Sequence, residues 1–232
     1  MVVNPIKVGV IGVGHLGQHH VKHFSCIKEA VLIGLFDIDT ARAKKIAEKY
    51  NSCAFSSLES LLVQVDALSI VTPTINHAKI AEKCINAGKH IFIEKPPGAN
   101  SKQTHELLEA AIENQVYAMV GYQRRYTDVV REAMNRVHSR GPVSHAVATF
   151  NKKMLLDSPE YTTTLWNDVT HMVDLLRFLV GSEAVEVTRY RDKFGSVDWN
   201  HYTALVRFAS DATGVIFGNR ASGGRVLRAE LH

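Results

Sequence analysis

The sequence has few cysteines, no long apolar run and no cluster of like charges. Three cysteines among 232 residues are too few and too scattered for a disulfide framework or a zinc ribbon, so free thiols are expected. No apolar run approaches the roughly 18 residues that span a bilayer, and the first residues lack the pattern of a secretion signal. These shortages exclude a disulfide scaffold and a membrane-embedded chain, and they predict a cytoplasmic protein.

Charge gives little indication of a large anionic partner. Lysine and arginine number 27 against 23 acidic residues, a net charge of +4, and the basic residues occur as isolated pairs such as Arg124-Arg125 and Lys152-Lys153. Without a basic run or interleaved aromatic residues, this pattern predicts a solvated surface rather than a nucleic-acid site. The length corresponds to about 1.5 domains.

The first half of the chain alternates short apolar runs with helical segments. Because the runs are apolar throughout and rich in valine and isoleucine, they predict strands covered on both faces of a doubly wound parallel sheet. The predicted strands are 6–11, 30–36, 66–71, 90–93 and 117–120. The predicted helices are 15–27, 40–50, 77–87 and 101–113.

After residue 121 the pattern changes, which predicts a domain boundary between 1–121 and 122–232. Successive apolar runs separated by turn residues indicate an α+β domain with a mainly antiparallel sheet. The predicted strands are 143–151, 184–191, 201–208 and 214–219. Helices are predicted at 127–138 and 165–179, with a polar loop at 154–164.

A Gly-x-Gly-x-x-Gly motif lies between the first predicted strand and the first helix. Gly12 permits the tight turn, Gly14 lets the backbone approach a pyrophosphate, and Gly17 lets the helix pack closely on the strand. The helix N-terminus then offers free N–H groups to phosphates. Asp37 follows about 20 residues after Gly17, where a carboxylate accepts hydrogen bonds from the adenosine ribose. Because Ile38 follows rather than an arginine, NAD is favoured over NADP.

The helix after the motif carries four histidines, His15, His19, His20 and His23. Three of them are spaced by four residues and would share one helix face, which suggests a metal site. We expect no metal here, since no cysteine or acidic residue joins the group and the helix must pack on the sheet. Some of these histidines are expected to face solvent or to lie at the rim of the sheet.

A second polar segment, Glu94-Lys95-Pro96-Pro97, follows the fifth predicted strand. Ligands bind at the carboxyl ends of strands in open α/β sheets. A partly desolvated lysine there can transfer a proton or polarise a substrate oxygen. Taken alone, an ordinary lysine on a rim loop is the preferred interpretation of Lys95.

Together with further segments, the sequence resembles the Gfo/Idh/MocA family of NAD(P)-dependent oxidoreductases along nearly its whole length. The resemblance rests on residues 12–17, on Thr72-Pro73-Thr74 with His77, on 87–90 leading into Glu94-Lys95-Pro96, on Gly121 to Tyr126, and on Asn167 to Asp174. The segment from Trp166 to His171 is most similar to a bacterial branch labelled virulence-factor-like. Membership implies a Rossmann domain followed by a domain with an open sheet, often an oligomer interface. It also implies hydride transfer at a carbinol carbon of a sugar, inositol or similar polyol.

The resemblance also implies roles for particular residues. Lys95 matches the active-site lysine, whose bond to the following proline is often cis, and His171 matches the usual acid/base. The family commonly has an aspartate four residues before that histidine, whereas Asn167 stands here with Asp168 next to it, and either can face His171 on a helix. The residues implied for cofactor binding, beside the three glycines and Asp37, are His15, Leu16, Thr72, Pro73, His77, Glu94 and Gln123.

The residues leave several alternatives open. A dinucleotide-binding regulator without turnover keeps the same fold, and hydride transfer to C=C or C=N acceptors is a third possibility. Arg124 and Lys153 fit a substrate that carries phosphate or carboxylate, although exposed cations explain them equally well. The last residues, 225–232, resemble a strand cut off in mid-course, which predicts a C-terminally shortened chain with an incomplete second sheet.

Overall fold

The computed structural model describes residues 4–153 and 163–232, so most of the predicted loop 154–164 lies outside the described residues. The chain divides into two units, Met1–Gly121 and Tyr122–His232. In the described residues each unit contains one sheet, and the first unit has two apolar clusters whereas the second has one.

The first unit is a doubly wound α/β unit, as predicted. Its parallel sheet has the strand order β3-β2-β1-β4-β5-β6, and helices connect successive strands. The strands are β1 Ile6–Ile11, β2 Ala30–Phe36, β3 Cys53–Ala54, β4 Ala67–Ile70, β5 His90–Ile93 and β6 Ala118–Val120. The helices are α1 His15–Phe24, α2 Thr40–Lys49, α3 Leu58–Leu62, α4 His77–Asn86 and α5 Ser101–Glu113.

Both faces of this sheet are covered, which explains why its strands are apolar throughout. Consecutive residues of β1 enter different cores, since Val10 packs with Val21 and Leu35 whereas Ile11 packs with Leu61 and Ile70. The sequence did not predict β3 and α3. The two-residue strand β3 is too short for a periodic signal, and α3 has only five residues.

The second unit packs its helices on one face of a mainly antiparallel sheet, which confirms the predicted class. The strand order is β11-β7-β10-β9-β8, and only the pair β7–β10 is parallel among the described strands. The strands are β7 His145–Asn151, β8 Ala184–Asp192, β9 His201–Phe208, β10 Thr213–Asn219 and β11 Val226–Leu231. The helices are α6 Asp128–His138 and α7 Thr170–Val180, and a π turn, Leu165–Val169, leads into α7.

The π turn and α7 lie close against β10 because two glycines leave room for them. A Cβ on Gly218 would come within 2.4 Å of Val169, and one on Gly214 within 2.8 Å of Leu176. The sequence predicted a continuous helix over 165–179. The structure differs in its first turn, and π turns are frequent at functional sites.

Candidate cofactor and substrate sites

The turn between β1 and α1 has the geometry of a phosphate cradle. Gly12 has φ +84°, and a Cβ there would lie 2.7 Å from the Val71 carbonyl oxygen, while a Cβ on Gly17 would lie 1.9 Å from the Gly12 carbonyl oxygen. A Cβ on Gly14, by contrast, would have no atom within 4 Å among the described residues. Gly12 and Gly17 are therefore needed by the fold itself, whereas Gly14 keeps a space open beside the helix N-terminus.

The groups around this space fit a dinucleotide. Gly14 at the N-cap of α1 offers no side-chain oxygen to the first N–H groups, and the first turn has no acidic residue. The Thr72 hydroxyl is buried without a hydrogen-bond partner among the described residues. Its methyl carbon would lie 3.0 Å from a Cβ on Gly12, so Thr72 lines the same turn. Free N–H groups, a positive helix end and an unused hydroxyl suit a pyrophosphate.

Asp37, at the end of β2, is almost completely buried and hydrogen-bonded. Its carboxylate accepts hydrogen bonds from the Val13 N–H at 2.8 Å, from the Asp39 N–H at 2.9 Å and from Arg42 Nη2 at 2.9 Å. Burial raises the pKa of Asp37, but the hydrogen bonds from Arg42, Asp39 and Val13 outweigh it and lower that pKa below its ordinary value. Asp37 is thus an anionic acceptor at the end of the glycine turn.

Arg42 is a site residue that the sequence analysis missed. The preference for NAD was predicted from Asp37 and its neighbour Ile38, which is 92% exposed. Arg42 reaches the carboxylate from the first turn of α2, and the Asp39 side chain caps that helix by accepting a hydrogen bond from the Arg42 N–H. Asp39 could have indicated this contact from the sequence. As the N-cap residue it begins α2, so Arg42 lies in the first helical turn, close to Asp37.

His77, which the resemblance implies as a cofactor contact, bridges two loops of the first unit. It is 1% exposed, its Nε2 lies 2.7 Å from the Thr72 carbonyl oxygen and its Nδ1 lies 2.7 Å from the Pro96 carbonyl oxygen. The Lys95–Pro96 peptide bond is cis, as the resemblance implied. His77 therefore fixes the segment of Thr72 relative to the segment of Lys95.

Glu94 and His20 form a second polar cluster at the end of β5. His20 Nδ1 lies 2.9 Å from the Ser69 hydroxyl and Nε2 lies 3.4 Å from Glu94 Oε1. Burial raises the pKa of Glu94, but the His20 hydrogen bond and the charges of His20 and Lys95 lower it overall. His20 is thus a mostly buried partner of Glu94. A Cβ on Gly121 would lie 3.0 Å from this carboxylate, so the chain crosses directly over it.

The helix-start histidines form no metal site in the described residues. No group of three or more His, Cys, Asp or Glu side chains there could hold an ion. His15 and His19 stack edge to face with ring centroids 5.5 Å apart. His15 and Leu16 are exposed at the glycine turn, and Gln123 is exposed in the second unit.

In the second unit His171 lies in the first turn of α7 and is 4% exposed. Its ring meets the Tyr122 ring edge to face with centroids 6.2 Å apart, and the Tyr122 hydroxyl lies 3.0 Å from the Thr170 hydroxyl. Arg125 forms a bidentate ion pair with the buried Asp174 one turn further along α7. These contacts hold the segment 122–126 against the helix that carries His171.

Asp168 is engaged by cations from two strand ends. It is 2% exposed, and its two carboxylate oxygens accept from Lys152 Nζ at 2.5 Å and from Arg220 Nε at 2.6 Å. Asn167, next to it in the π turn, is half-buried. The structure therefore gives Asp168 a role in an ion cluster, which the helical spacing alone did not predict.

The fold and the glycine turn define the class: the first unit is a dinucleotide-binding Rossmann unit. Residues 6–122 match the family model described as the oxidoreductase family with an NAD-binding Rossmann fold, and the chain belongs to this Gfo/Idh/MocA family. A likeness is found to UDP-N-acetylglucosamine 3-dehydrogenase of Acidithiobacillus ferrooxidans, with 32% identity over 78% of this chain. Another is to inositol 2-dehydrogenase of Rhizobium meliloti, with 29% identity over 98% of this chain.

The solved structures agree with the sequence comparisons. The structure of the Acidithiobacillus ferrooxidans UDP-N-acetylglucosamine 3-dehydrogenase superposes with a TM-score of 0.89 at 28% identity, over 97% of this chain and 71% of that one. In the sequence alignments this chain spans 56% of that dehydrogenase and 73% of the inositol dehydrogenase. Among the described residues no helix is long and apolar enough to cross a membrane.

Proposed function

We propose that this protein transfers a hydride between NAD and a carbinol carbon of a sugar, inositol or similar polyol. The observation that carries the proposal is the glycine turn, where Gly14 leaves open space at an uncapped helix N-terminus beside the unused Thr72 hydroxyl. Family membership supports the reaction class. The relatives bear the names of dehydrogenases, which disfavours a regulator without turnover.

NAD is the favoured cofactor because Asp37 is a buried anion at the end of β2. A carboxylate there accepts hydrogen bonds from ribose hydroxyls and repels a 2′-phosphate. Arg42 does not reverse this preference, since its guanidinium is already paired with Asp37. Thr72 and Pro73 are proposed to line the middle of the cofactor, and Glu94 and Gln123 its nicotinamide end.

Bound NAD would supply the hydride acceptor, the C4 position of the nicotinamide. The substrate hydroxyl gives its proton to His171 or Lys95, and the electron pair of the carbinol C–H bond leaves as hydride, so the carbinol becomes a carbonyl. His171 or Lys95 then releases the proton to solvent. Asn167 lacks a charge, so it is proposed to hydrogen-bond a sugar hydroxyl rather than to tune His171.

The role of Lys95 is tested by Lys95→Ala. Removing a proton-transfer group lowers kcat by about 10²–10⁴-fold, whereas NADH binding is retained. The measurement is nicotinamide absorbance with a panel of sugars, inositols and phosphorylated sugars, together with NADH fluorescence titration. Lys102→Ala is the matched control, because Lys102 is an exposed lysine of the same unit.

Three outcomes contradict parts of this proposal. Unimpaired turnover by Lys95→Ala would remove Lys95 from the mechanism. NADH binding without turnover on the whole panel would favour the regulator. Turnover only with C=C or C=N acceptors would show that the substrate is reduced at a double bond of that kind and not at a carbinol carbon.

A homo-oligomer in the cytoplasm is proposed as the working form. Supporting it, the face of the second sheet opposite α7 carries exposed apolar side chains, including Tyr190, Leu205 and Phe217. The three cysteines are free, as expected in a reducing compartment. Sedimentation that shows only monomer at micromolar concentration would contradict the oligomer.

A further inference from the structure

Positively charged side chains gather at one end of the second sheet. Because β7 and β10 run parallel, their carboxyl ends lie at the same edge, where Lys152 directly follows β7 and Arg220 follows β10. Strand β11 runs antiparallel to β7 and starts at this edge, directly after Arg225. Three adjacent strands thus bring three cations to one edge.

A fourth cation, Arg124, lies with two of these three, Lys152 and Arg225, around one buried ring. The Phe150 ring is 2% exposed, and the guanidinium carbon of Arg124 lies 5.3 Å from its centroid. Lys152 Nζ lies 4.8 Å and the guanidinium carbon of Arg225 lies 5.8 Å from the same centroid. The ring attracts each cation, but the cations repel one another. A negative charge placed among these cations would therefore stabilise the arrangement.

The described carboxylates balance only part of this charge. Asp168 pairs with Lys152 and Arg220. Arg124 and Arg225 have no carboxylate within ion-pair distance among the described residues, and Arg124 Nε is buried without a hydrogen-bond acceptor there. Burial and the charge of Arg225 lower the pKa of Arg124, against a smaller opposite effect of Asp168. A bound anion would accept a hydrogen bond from Arg124 Nε, and it would reduce the repulsion between Arg124 and Arg225.

We propose that Arg124, Lys152 and Arg225 bind a phosphoryl group of the substrate. Guanidinium groups present a planar fork of donors that matches phosphate oxygens, and such charge-assisted hydrogen bonds are about twice as strong as neutral ones. Asp168 is a positioning residue, since it holds Lys152 beside Phe150. The inference rests on the proposed function, whose class of sugar or polyol substrates it narrows to phosphorylated ones.

The test measures anion binding by calorimetry on the full chain saturated with NADH, so that the glycine turn is occupied. The probes are inorganic phosphate and inorganic pyrophosphate. Arg225→Gln and Arg124→Gln should each weaken binding of at least one probe about tenfold, and raising the salt concentration should weaken it further. Because Arg225 is exposed, its variant is expected to fold even if Arg124→Gln does not.

Arg140→Gln is the matched control. Arg140 is exposed and precedes β7, whereas Lys152 follows that strand, whose seven residues span about 20 Å. Wild-type affinity in Arg140→Gln together with the loss in Arg225→Gln would support the proposal. Equal affinities in Arg225→Gln and Arg140→Gln, or no binding of either anion to a protein that binds NADH, would overturn it.

The two probes separate the possible substrates. Similar affinities for phosphate and pyrophosphate would indicate a sugar monophosphate, whereas much tighter pyrophosphate binding would indicate a nucleoside diphosphate sugar. Turnover of uncharged polyols without anion binding would overturn this inference and leave the dehydrogenase function intact. Anion binding without any turnover would contradict the function and support the site.

Discussion

The two units each contain a buried aspartate, and these aspartates have different partners. Asp37 in the first unit accepts hydrogen bonds from two backbone N–H groups and one arginine. Asp168 in the second unit accepts from two cations that come from the ends of different strands. Asp37 is anchored mostly by the local course of the chain, whereas Asp168 depends on the assembled sheet.

The two units also differ in the groups that they present to a ligand. The first unit presents backbone N–H groups, open space and the buried anion of Asp37, which suits a neutral ribose next to a phosphate. The second unit presents more cations than the described carboxylates neutralise. The same residue type is therefore proposed to accept hydrogen bonds from a ligand in the first unit, whereas in the second it is an internal counter-ion.

The largest effect is expected from Gly17→Ala, which changes the backbone geometry of the first unit. In Gly17→Ala the new Cβ would lie 1.9 Å from the Gly12 carbonyl oxygen, so the chain must move. We expect the unit to lose about 3 kcal/mol or more of stability and the protein to lose NADH affinity. Urea unfolding and NADH fluorescence titration measure the two effects.

Gly14→Ala is the matched control for that change. Its Cβ would meet no described atom within 4 Å, and φ −63° suits alanine, so stability should stay within about 1 kcal/mol. NADH affinity should still fall at least about tenfold, because the methyl group fills the space proposed for the pyrophosphate. Unchanged NADH affinity in Gly14→Ala would contradict the proposed cofactor position.

Asp168→Asn tests the ion cluster of the second unit. The substitution leaves Lys152 and Arg220 without their shared charge, and Arg220 is only 13% exposed. We expect a loss of about 2–3 kcal/mol, less than for a fully buried pair because Lys152 is 32% exposed and relaxes into solvent. Thermal unfolding measures the loss.

Glu230→Gln removes an acidic partner of the same unit at a more exposed position. Its pair with Arg228 is 34% and 64% exposed, so the change should stay within about 0.5 kcal/mol. If Glu230→Gln lowered the stability as much as Asp168→Asn does, burial would not explain the difference between the Arg228 pair and the Asp168 cluster.

The sequence predicted those features that depend on neighbouring residues. Alternating apolar runs gave the strands of the parallel sheet, and the glycine spacing located the turn of Gly12. Both follow from backbone sterics and from burial on two faces, which act over a few residues. Short elements such as β3 carried too little periodicity to be detected.

The partners of charged side chains were less predictable. Arg42 pairs with Asp37 across five residues, which the Asp39 helix cap makes possible. Arg220 is 52 residues from Asp168, and they meet because the π turn packs on β10 at Gly218. The parallel pairing of β7 with β10 then places Lys152 at the same edge. Such contacts depend on strand order, which composition and periodicity do not specify.

The smallest expected change in cofactor affinity is that of Asp37→Ser. Without the carboxylate, the Arg42 guanidinium loses its partner and can receive a 2′-phosphate, so NADPH affinity should rise about tenfold while NADH affinity falls about tenfold. Competitive fluorescence titration measures both, and Asp37→Ser with Arg42→Ala should lose the NADPH gain. If the double variant keeps that gain, Arg42 is not the phosphate ligand. Because the pKa of Asp37 is lowered, wild-type preference for NADH should stay constant from pH 9 to pH 6 and weaken only as the carboxylate becomes protonated in acid.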